Sequence, residues 1–301
     1  MKKVAYLYDS SSGIINDDVI NDIFVVPNNI IYEVNNEIKS FAENVNISQQ
    51  EIDDLLLQKK DLKTALVNPE VIKNKVLELL KQYELVIYVP ISYAISSTYD
   101  KAMLVMKEIN EQFHETRFIV IKSNAVSYFA TVVMDQVKKL YNGSNLQEVQ
   151  KTIDDQINKN YYCGILFVNN LDTLIKGGRI KKAKAALANL LNFKLLILMS
   201  NSLQFFAKAI SYNTQIEKAL KFFNEVSTRN NLPIEEVIFV KGGVKSTNDE
   251  YETKLDIKNL VIKNLNLVKN PVFKEAVLPG VIKCHTGINC YAIVIKLAFD
   301  K

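Results

Sequence analysis

The stretch KVAYLYDSSS, residues 3–12, has the composition of a buried β-strand that ends in a loop of small hydroxyl side chains. Three further apolar runs also predict β-strands, and the last two end in a serine: DIFVVPN (22–28), ELVIYVPIS (84–92) and RFIVIKS (117–123). Apolar residues at helical spacing fill the segments between them: SQQEIDDLLLQK (48–59), EVIKNKVLELLKQY (70–83) and SSTYDKAMLVMKEINEQF (96–113). This alternation predicts an α/β fold with a mainly parallel sheet flanked by helices.

Serines follow several of these predicted strands. The ends of parallel strands meet at one edge of an open sheet, and ligands of such sheets bind beyond the carboxyl ends of the strands. We therefore expect these hydroxyl side chains to share one edge: Ser10 to Ser12, Ser92, Ser96 and Ser123.

The second half of the chain has a different pattern. Helices are predicted over NLQEVQKTIDDQINK (145–159) and RIKKAKAALANLLN (179–192), on either side of a strand in YYCGILFVNN (161–170). FKLLILMSNSLQFFAKAI (193–210) predicts a hairpin turning at Asn201 and Ser202, and residues 275–299 predict two strands around a loop. We expect two domains: an α/β domain at 1–155 and an α+β domain with antiparallel strands at 156–301.

The composition narrows the function classes. The 301 residues carry 37 Lys and Arg against 33 Asp and Glu, a net charge of +4 without a dominant basic block, which argues against a nucleic-acid partner. Three cysteines, Cys163, Cys284 and Cys290, suit a reducing compartment better than a disulfide framework, so we expect a cytoplasmic protein. No stretch approaches the apolar length of a membrane span.

Three features of the sequence argue against other chemistries. VKGGVKST (240–247) lacks the glycine spacing of a phosphate loop. KCHTGINC (283–290) groups two cysteines with His285, but too few further ligands remain for a closed zinc site, so no metal is expected. The chain also lacks a G-x-S-x-G nucleophile elbow.

LDTLIKGGRI (171–180) permits two interpretations. A helix that ends at Gly177 in a left-handed conformation would explain the paired glycines without a ligand. Alternatively, Gly177 and Gly178 let the backbone approach a bound anion, while Arg179 supplies planar donors suited to a carboxylate or phosphate.

Six segments, in order, resemble motifs of the DegV family of bacterial fatty-acid-binding proteins. They are YLYDSSSG (6–13), like the family's opening D-S-S-x; FVVPNNI (24–30), like V-V-P-L; ISQQEIDDLLLQKKDLKTALVNPE (47–70), like the approach to T-S-Q-P-S-P; PISYAISSTYDKA (90–102), like I-S-S-x-L-S-G-T-Y-x-x-A; LDTLIKGGRI, like L-x-x-L-x-x-G-G-R-I; and KCHTGINCYA (283–292), like H-x-G-P-G.

The resemblance implies two α/β-type domains with a lipid between them. It implies that the protein holds a long-chain fatty acid in a hydrophobic tunnel, needs no cofactor, and presents the carboxyl group to a separate fatty acid kinase catalytic subunit without catalysis of its own. It further implies transient contact with a membrane or an acyltransferase. The residues implied at the carboxylate are Thr64, Ser96, Arg179 and His285. Supporting positions are Ser10, Ser11, Ser97, Ser123, Gly177, Gly178, Thr286 and Gly287.

Four departures from the family motifs bear on the head-group site. Ala65 to Val67 replace S-Q-P, Ser97 replaces a glycine, Lys122 opens a K-S-N where D-S-K is common, and Ile288-Asn289 replace P-G. Two alternatives therefore accompany the carrier interpretation. One is an enzyme that acts directly on a lipid or small carboxylic acid, and the other is a regulatory protein that keeps the fold without a ligand.

Overall fold

The computed structural model describes residues 3–123, 125–168, 174, 176–178, 193–200, 203–243 and 256–299. The chain divides into two compact units. The first comprises residues 1–155 with Pro279–Val281, and the second comprises residues 156–278 and 282–301.

The first unit is built on a parallel sheet. Its strands are β1 (Val4–Asp9), β2 (Ile23–Val26), β6 (Leu85–Val89) and β7 (Phe118–Val120), in the order β2-β1-β6-β7. Every residue of β6 is buried, as expected for a parallel strand covered on both faces. The predicted α/β architecture is confirmed.

A small antiparallel sheet, which the sequence patterns did not predict, accompanies it in the first unit. Its strands are β3 (Asn29–Val34), β4 (Glu37–Ala42) and β5 (Lys63–Ala65), in the order β4-β3-β5. The turn between β3 and β4 uses Asn35 and Asn36, both with positive φ. Two asparagines in left-handed conformations are typical of a tight hairpin turn.

The first unit has five α-helices among its described residues. They are α1 (Gln49–Leu57), α2 (Pro69–Leu79), α3 (Thr98–Phe113), α4 (Phe129–Leu140) and α5 (Leu146–Asn158), whose last residues belong to the second unit. Ser48 and Glu51 form a capping box at α1, and Asn68 caps α2 ahead of Pro69. Apolar side chains of α2 and α3, such as Ile72, pack with β1 and β6 in one core.

The second unit contains a larger, mostly antiparallel sheet. Its strands are β8 (Tyr162–Val168), β9 (Lys194–Met199), β10 (Leu203–Ala209), β11 (Ile234–Lys241), β12 (Leu267–Val277) and β13 (Cys290–Leu297), in the order β10-β9-β8-β13-β11-β12. Only the pair β11–β12 is parallel among these described strands. Helices α6 (Tyr212–Asn230) and α7 (Ile257–Asn264) contribute to its core, where Phe223 is fully buried.

One expectation for the second half was wrong. Residues 275–299 do not form two strands around a loop, because a short helix, α8 (Gly280–Thr286), separates β12 from β13. These strands are not neighbours either, since β11 lies between them. β9 and β10 pair antiparallel as predicted, whereas their turn at Asn201–Ser202, the predicted helix 179–192 and residues 244–247 lie outside the described residues.

Candidate functional site

The serines that follow the parallel strands lie on segments that leave the sheet at one edge. β1, β6 and β7 are adjacent and parallel, so the segments after their carboxyl ends leave the sheet on the same side. Ser10 to Ser12, Ser92, Ser96 and Ser123 are carried by these segments. The expectation that they share an edge is confirmed.

A buried carboxylate organises this edge. Asp9, the last residue of β1, is 1% exposed. One of its oxygens accepts from the Ser11 backbone N–H at 3.0 Å, from the Ser11 hydroxyl, and from Asn28 Nδ2 at 3.1 Å. The other oxygen accepts from the Ile91 backbone N–H at 2.7 Å and the Tyr88 hydroxyl at 3.2 Å. Five donors therefore stabilise one buried negative charge.

Tyr88 is a secure donor in this network. Its side chain is fully buried, and burial, the neighbouring charge of Asp9 and the hydrogen bond to Asp9 raise the pKa of the Tyr88 phenol well above 10. The phenol is therefore protonated at neutral pH. Its O–H remains available to Asp9.

A second buried carboxylate is linked to the first through Ser10 and Asn28. The Ser10 hydroxyl accepts from the Asn28 backbone N–H at 3.0 Å and donates to Glu43 Oε2 at 2.5 Å. Glu43 Oε1 accepts from Gln49 Nε2 at 2.8 Å and from the Val281 N–H at 3.3 Å. Burial raises the pKa of the Glu43 carboxyl above its ordinary 4.5, against the opposing effect of these hydrogen bonds.

The segment that carries Ser96 is held at its start. Besides the Ile91 bond to Asp9, the Ser123 hydroxyl donates to the Pro90 carbonyl at 2.9 Å. The Ser92 N–H donates to the Ala125 carbonyl at 2.7 Å, and the Ser92 carbonyl accepts the Ser96 N–H at 3.1 Å. Ser123 therefore has a structural partner of its own, and supports the Ser96 segment from the β7 side.

Ser96 lies directly before α3. Its half-buried hydroxyl is 2.9 Å from Thr98 Oγ1 and accepts the Thr98 N–H at 3.3 Å. The exposed Ser97 is the N-cap residue, but its side chain makes no capping hydrogen bond. The positive end of a 16-residue helix and a nearby hydroxyl are groups that favour an anion.

Thr64 comes from another element of the first unit. It lies in the middle of β5, where it is paired with Ile30 of β3, and its side chain is half-buried. The fixed strand register gives the Thr64 hydroxyl a defined position. The departure residues Ala65 to Val67 follow directly, ahead of the Asn68 cap of α2.

In the second unit, Gly177 lies next to His285. A Cβ atom on Gly177 would be 3.1 Å from both Cβ and Nδ1 of His285 and 3.2 Å from its carbonyl oxygen. Only glycine allows this approach without displacement of the imidazole. The structure thus brings together two of the predicted residues that are far apart in the sequence.

The capping interpretation of this loop needs a correction of one residue. Gly177 is still helical, and the left-handed residue is Gly178, with φ of +67°. Gly178 thus ends the helix, while Gly177 provides the close contact with His285. Arg179 lies outside the described residues.

Two supporting positions after His285 serve the local fold. The buried Thr286 hydroxyl is 3.2 Å from the Ile282 carbonyl and 3.1 Å from the Gly287 carbonyl. The Gly287 N–H donates to the Lys283 carbonyl at 2.8 Å and closes α8. These interactions fix the end of the helix that carries His285.

Sequence reasoning missed the residues that tie the first unit's site together: Asp9, Asn28, Glu43 and Tyr88. An acidic residue at the end of a buried strand was a usable signal for Asp9, because such a charge needs partners. Glu43 gave no such signal, since a single glutamate between Ala42 and Asn44 is equally typical of a surface position.

The cysteines have the character of core residues. Cys163, Cys284 and Cys290 are all buried, and burial raises the thiol pKa of Cys163, and that of Cys290 to about 12. Within the described ranges, no group of three or more His, Cys, Asp or Glu residues could hold a metal ion. No helix in the described part of the chain is long and apolar enough to cross a membrane.

Comparison with known proteins places the chain in a family. The model of the family described as "Uncharacterised protein, DegV family" matches residues 3–297. The DegV domain-containing protein MG450 of Mycoplasma genitalium is 30% identical, over 98% of this chain and 99% of the relative. A protein of Thermotoga maritima named fatty acid-binding protein is 28% identical over 46% of this chain and 47% of its own.

Solved structures show the same fold. A DegV family protein from Thermus thermophilus, described by its fatty acid binding, has a TM-score of 0.77 at 21% identity, with 98% of this chain and 99% of that chain covered. A stearic acid-binding protein from Eubacterium ventriosum has a TM-score of 0.77 at 19% identity, with 98% of each chain covered. With the family match over almost all of its length, this chain belongs to the DegV family.

Proposed function

We propose that this protein is a cytoplasmic carrier that binds a long-chain fatty acid and presents its carboxyl group to a separate kinase for acyl-phosphate formation. The observation that carries the proposal is the match over almost the whole chain to a family whose solved members include proteins described as fatty-acid-binding. The carrier has no catalysis of its own and uses no cofactor.

The tail of the lipid supplies most of the affinity in this proposal. Burial of roughly 15 methylene groups at about 0.8 kcal/mol each gives on the order of 12 kcal/mol before the entropic costs of binding. The head group adds less, because its hydrogen bonds replace hydrogen bonds to water. Residues at the carboxylate therefore determine orientation more than affinity.

The proposed carboxylate residues are Thr64, Ser96, Arg179 and His285. Two features of the described residues support this set. The Ser96 hydroxyl stands at the amino end of α3, which favours negative charge, and the Gly177 contact holds His285 in place. A hydroxyl and an imidazole N–H both donate to carboxylate oxygens.

The test uses palmitate as the lipid, with ATP and the fatty acid kinase catalytic subunit of the same organism. Wild-type protein loaded with palmitate should support acyl-phosphate formation. Ser96→Ala and His285→Asn should keep the bound lipid but lower the rate about tenfold or more, since each loses a head-group donor worth about 1.5–3 kcal/mol when it faces a charge. Loaded wild-type protein that never yields acyl phosphate contradicts the kinase step.

Matched controls come from exposed positions. Ser40→Ala removes a hydroxyl from exposed β4, and His114→Asn changes an exposed histidine with φ of +54°, a conformation that asparagine tolerates. Both variants should support acyl-phosphate formation at the wild-type rate. Equal losses in the controls and in the site variants would mean that the four assigned residues have no special role.

A further inference from the structure

The Asp9 carboxylate connects β1 to the segment that carries Ser96. Asp9 Oδ2 accepts from the Ile91 N–H at 2.7 Å and from the Tyr88 hydroxyl at 3.2 Å, so the Ile91 contact is the shorter of the two. All five partners of the carboxylate donate hydrogen bonds to it, and the side chain is 1% exposed. Because these partners already occupy both oxygens, Asp9 is suited to hold protein groups in place.

Few constraints separate this contact from Ser96. The segment from Pro90 to Ser97 is held at its start by Asp9 and Ser123, and at Ser92 by the N–H bond to the Ala125 carbonyl. The Ser92 carbonyl then accepts the N–H groups of Ile95 and Ser96. The backbone position of Ser96 therefore depends on the position of Ser92. A shift at Ile91 is transmitted to Ser96 through this single turn.

We propose that Asp9 is a positioning residue for fatty-acid recognition, whose carboxylate fixes the start of the 90–97 segment and so orients the Ser96 hydroxyl toward the lipid carboxylate. This inference rests on the proposed function, because Asp9 acts through Ser96. Asparagine cannot replace Asp9, since its NH₂ group would face at least one backbone N–H, of Ser11 or of Ile91.

The experiment follows the carboxyl ¹³C signal of bound [1-¹³C]palmitate by NMR as a function of pH. Ser96→Ala should raise the pKa of the bound carboxyl, because a donor to the charged form is lost. Asp9→Asn should also raise this pKa through the displaced Ser96 donor, although loss of the Asp9 charge opposes the shift. Ser123→Ala releases the same segment and keeps the Asp9 charge, so it should raise the pKa without that opposing effect. The double variant, Asp9→Asn with Ser96→Ala, should show a pKa shift no greater than the larger single shift, because both changes remove the same interaction.

Tyr88→Phe is the matched control. It removes another donor from the same Asp9 oxygen and leaves the Ile91 contact in place, so the bound palmitate signal should titrate as in wild type. If Asp9→Asn does not fold, Ser123→Ala takes its place, since it releases the same segment at Pro90 and should raise the same pKa.

The outcomes separate the two proposals. If Ser96→Ala shifts the titration but neither Asp9→Asn nor Ser123→Ala does, or if the shifts of Asp9 and Ser96 variants simply add, the positioning role is overturned and the carrier function stands. If wild-type protein gives no bound palmitate signal, the carrier function fails and the positioning role fails with it.

Discussion

The two units hold their candidate carboxylate residues in place by different physical means. In the first unit, the segment leading to Ser96 is fixed at its start by a hydrogen bond from the Ile91 N–H to a buried charge, Asp9. In the second unit, His285 is fixed by close packing against a residue without a side chain, Gly177. The first arrangement depends on hydrogen-bond partners for buried polar groups, and the second depends on the absence of side-chain volume at Gly177.

The difference determines which substitutions are harmful in each region. A buried network of donors fails when its acceptor is lost, even if the volume is kept. A close approach at glycine fails when a single methyl group is added, even if no polar group changes.

Removal of the Asp9 carboxylate should have the largest effect on stability. Asp9→Ala leaves the buried donors of Ile91, Tyr88, Ser11 and Asn28 without their acceptor. At about 1–3 kcal/mol for each group left unsatisfied, partly relieved by water, the free energy of unfolding should fall by roughly 4 kcal/mol. Urea unfolding measures this loss. Asp61→Ala, at an exposed position, should stay within about 0.5 kcal/mol of wild type, and a similarly small loss at Asp9 would show that the network contributes little.

A methyl group at Gly177 should have an intermediate effect. The added Cβ would come within 3.1 Å of His285, so Gly177→Ala should lower the free energy of unfolding by about 1–3 kcal/mol and displace the imidazole. Thermal unfolding and the His285 imidazole NMR signal report the two effects.

Gly178 provides the comparison for Gly177. Apart from Gly178 itself and its chain neighbours, no atom of the described residues lies within 4 Å of the position that a Cβ on Gly178 would take, so its φ of +67° is the main restriction on substitution there. Gly178→Ala should cost about 1 kcal/mol, and Gly178→Asn less, because asparagine tolerates that conformation. An unchanged His285 signal in Gly177→Ala would contradict the packing account.

The smallest effect is a pH dependence at Glu43. Its folded-state pKa is raised above 4.5, so the folded state binds the proton more tightly than the unfolded state. Stability from this group is therefore greatest below about pH 4.5 and is lost as the pH rises through the raised pKa. Glu43→Gln does not titrate at this position, so its stability relative to wild type should improve as the pH rises from 4 to 8. If the free energies of unfolding of wild type and Glu43→Gln, measured with urea, changed in parallel with pH, this effect of Glu43 would be ruled out.

The sequence predicted the elements with strong periodicity. β1, β6 and β7 are continuous apolar runs, and α1 to α3 carry apolar residues at helical spacing, so both periods were readable. The carboxyl-edge rule then placed the serines correctly. α8 was missed because seven residues between two apolar strands give too short a pattern to reveal a helix.

Contacts between distant residues could not be predicted in the same way. The Ser10–Glu43 bond spans 33 positions and the Ile91–Asp9 bond spans 82, and neither leaves a local pattern in the sequence. The close approach of Gly177 to His285 is of the same kind, because a glycine pair at a helix end already has a local explanation. Local sequence rules therefore assigned the left-handed position at the helix end to Gly177, whereas Gly178 occupies it.

The most direct test of the central claim is native mass spectrometry of the purified protein, followed by denaturation and identification of any released lipid. The account predicts a stoichiometric long-chain fatty acid that exchanges with added palmitate or oleate. A protein without lipid that also fails to bind both added acids would contradict it, and would favour a family member that keeps the fold without a ligand.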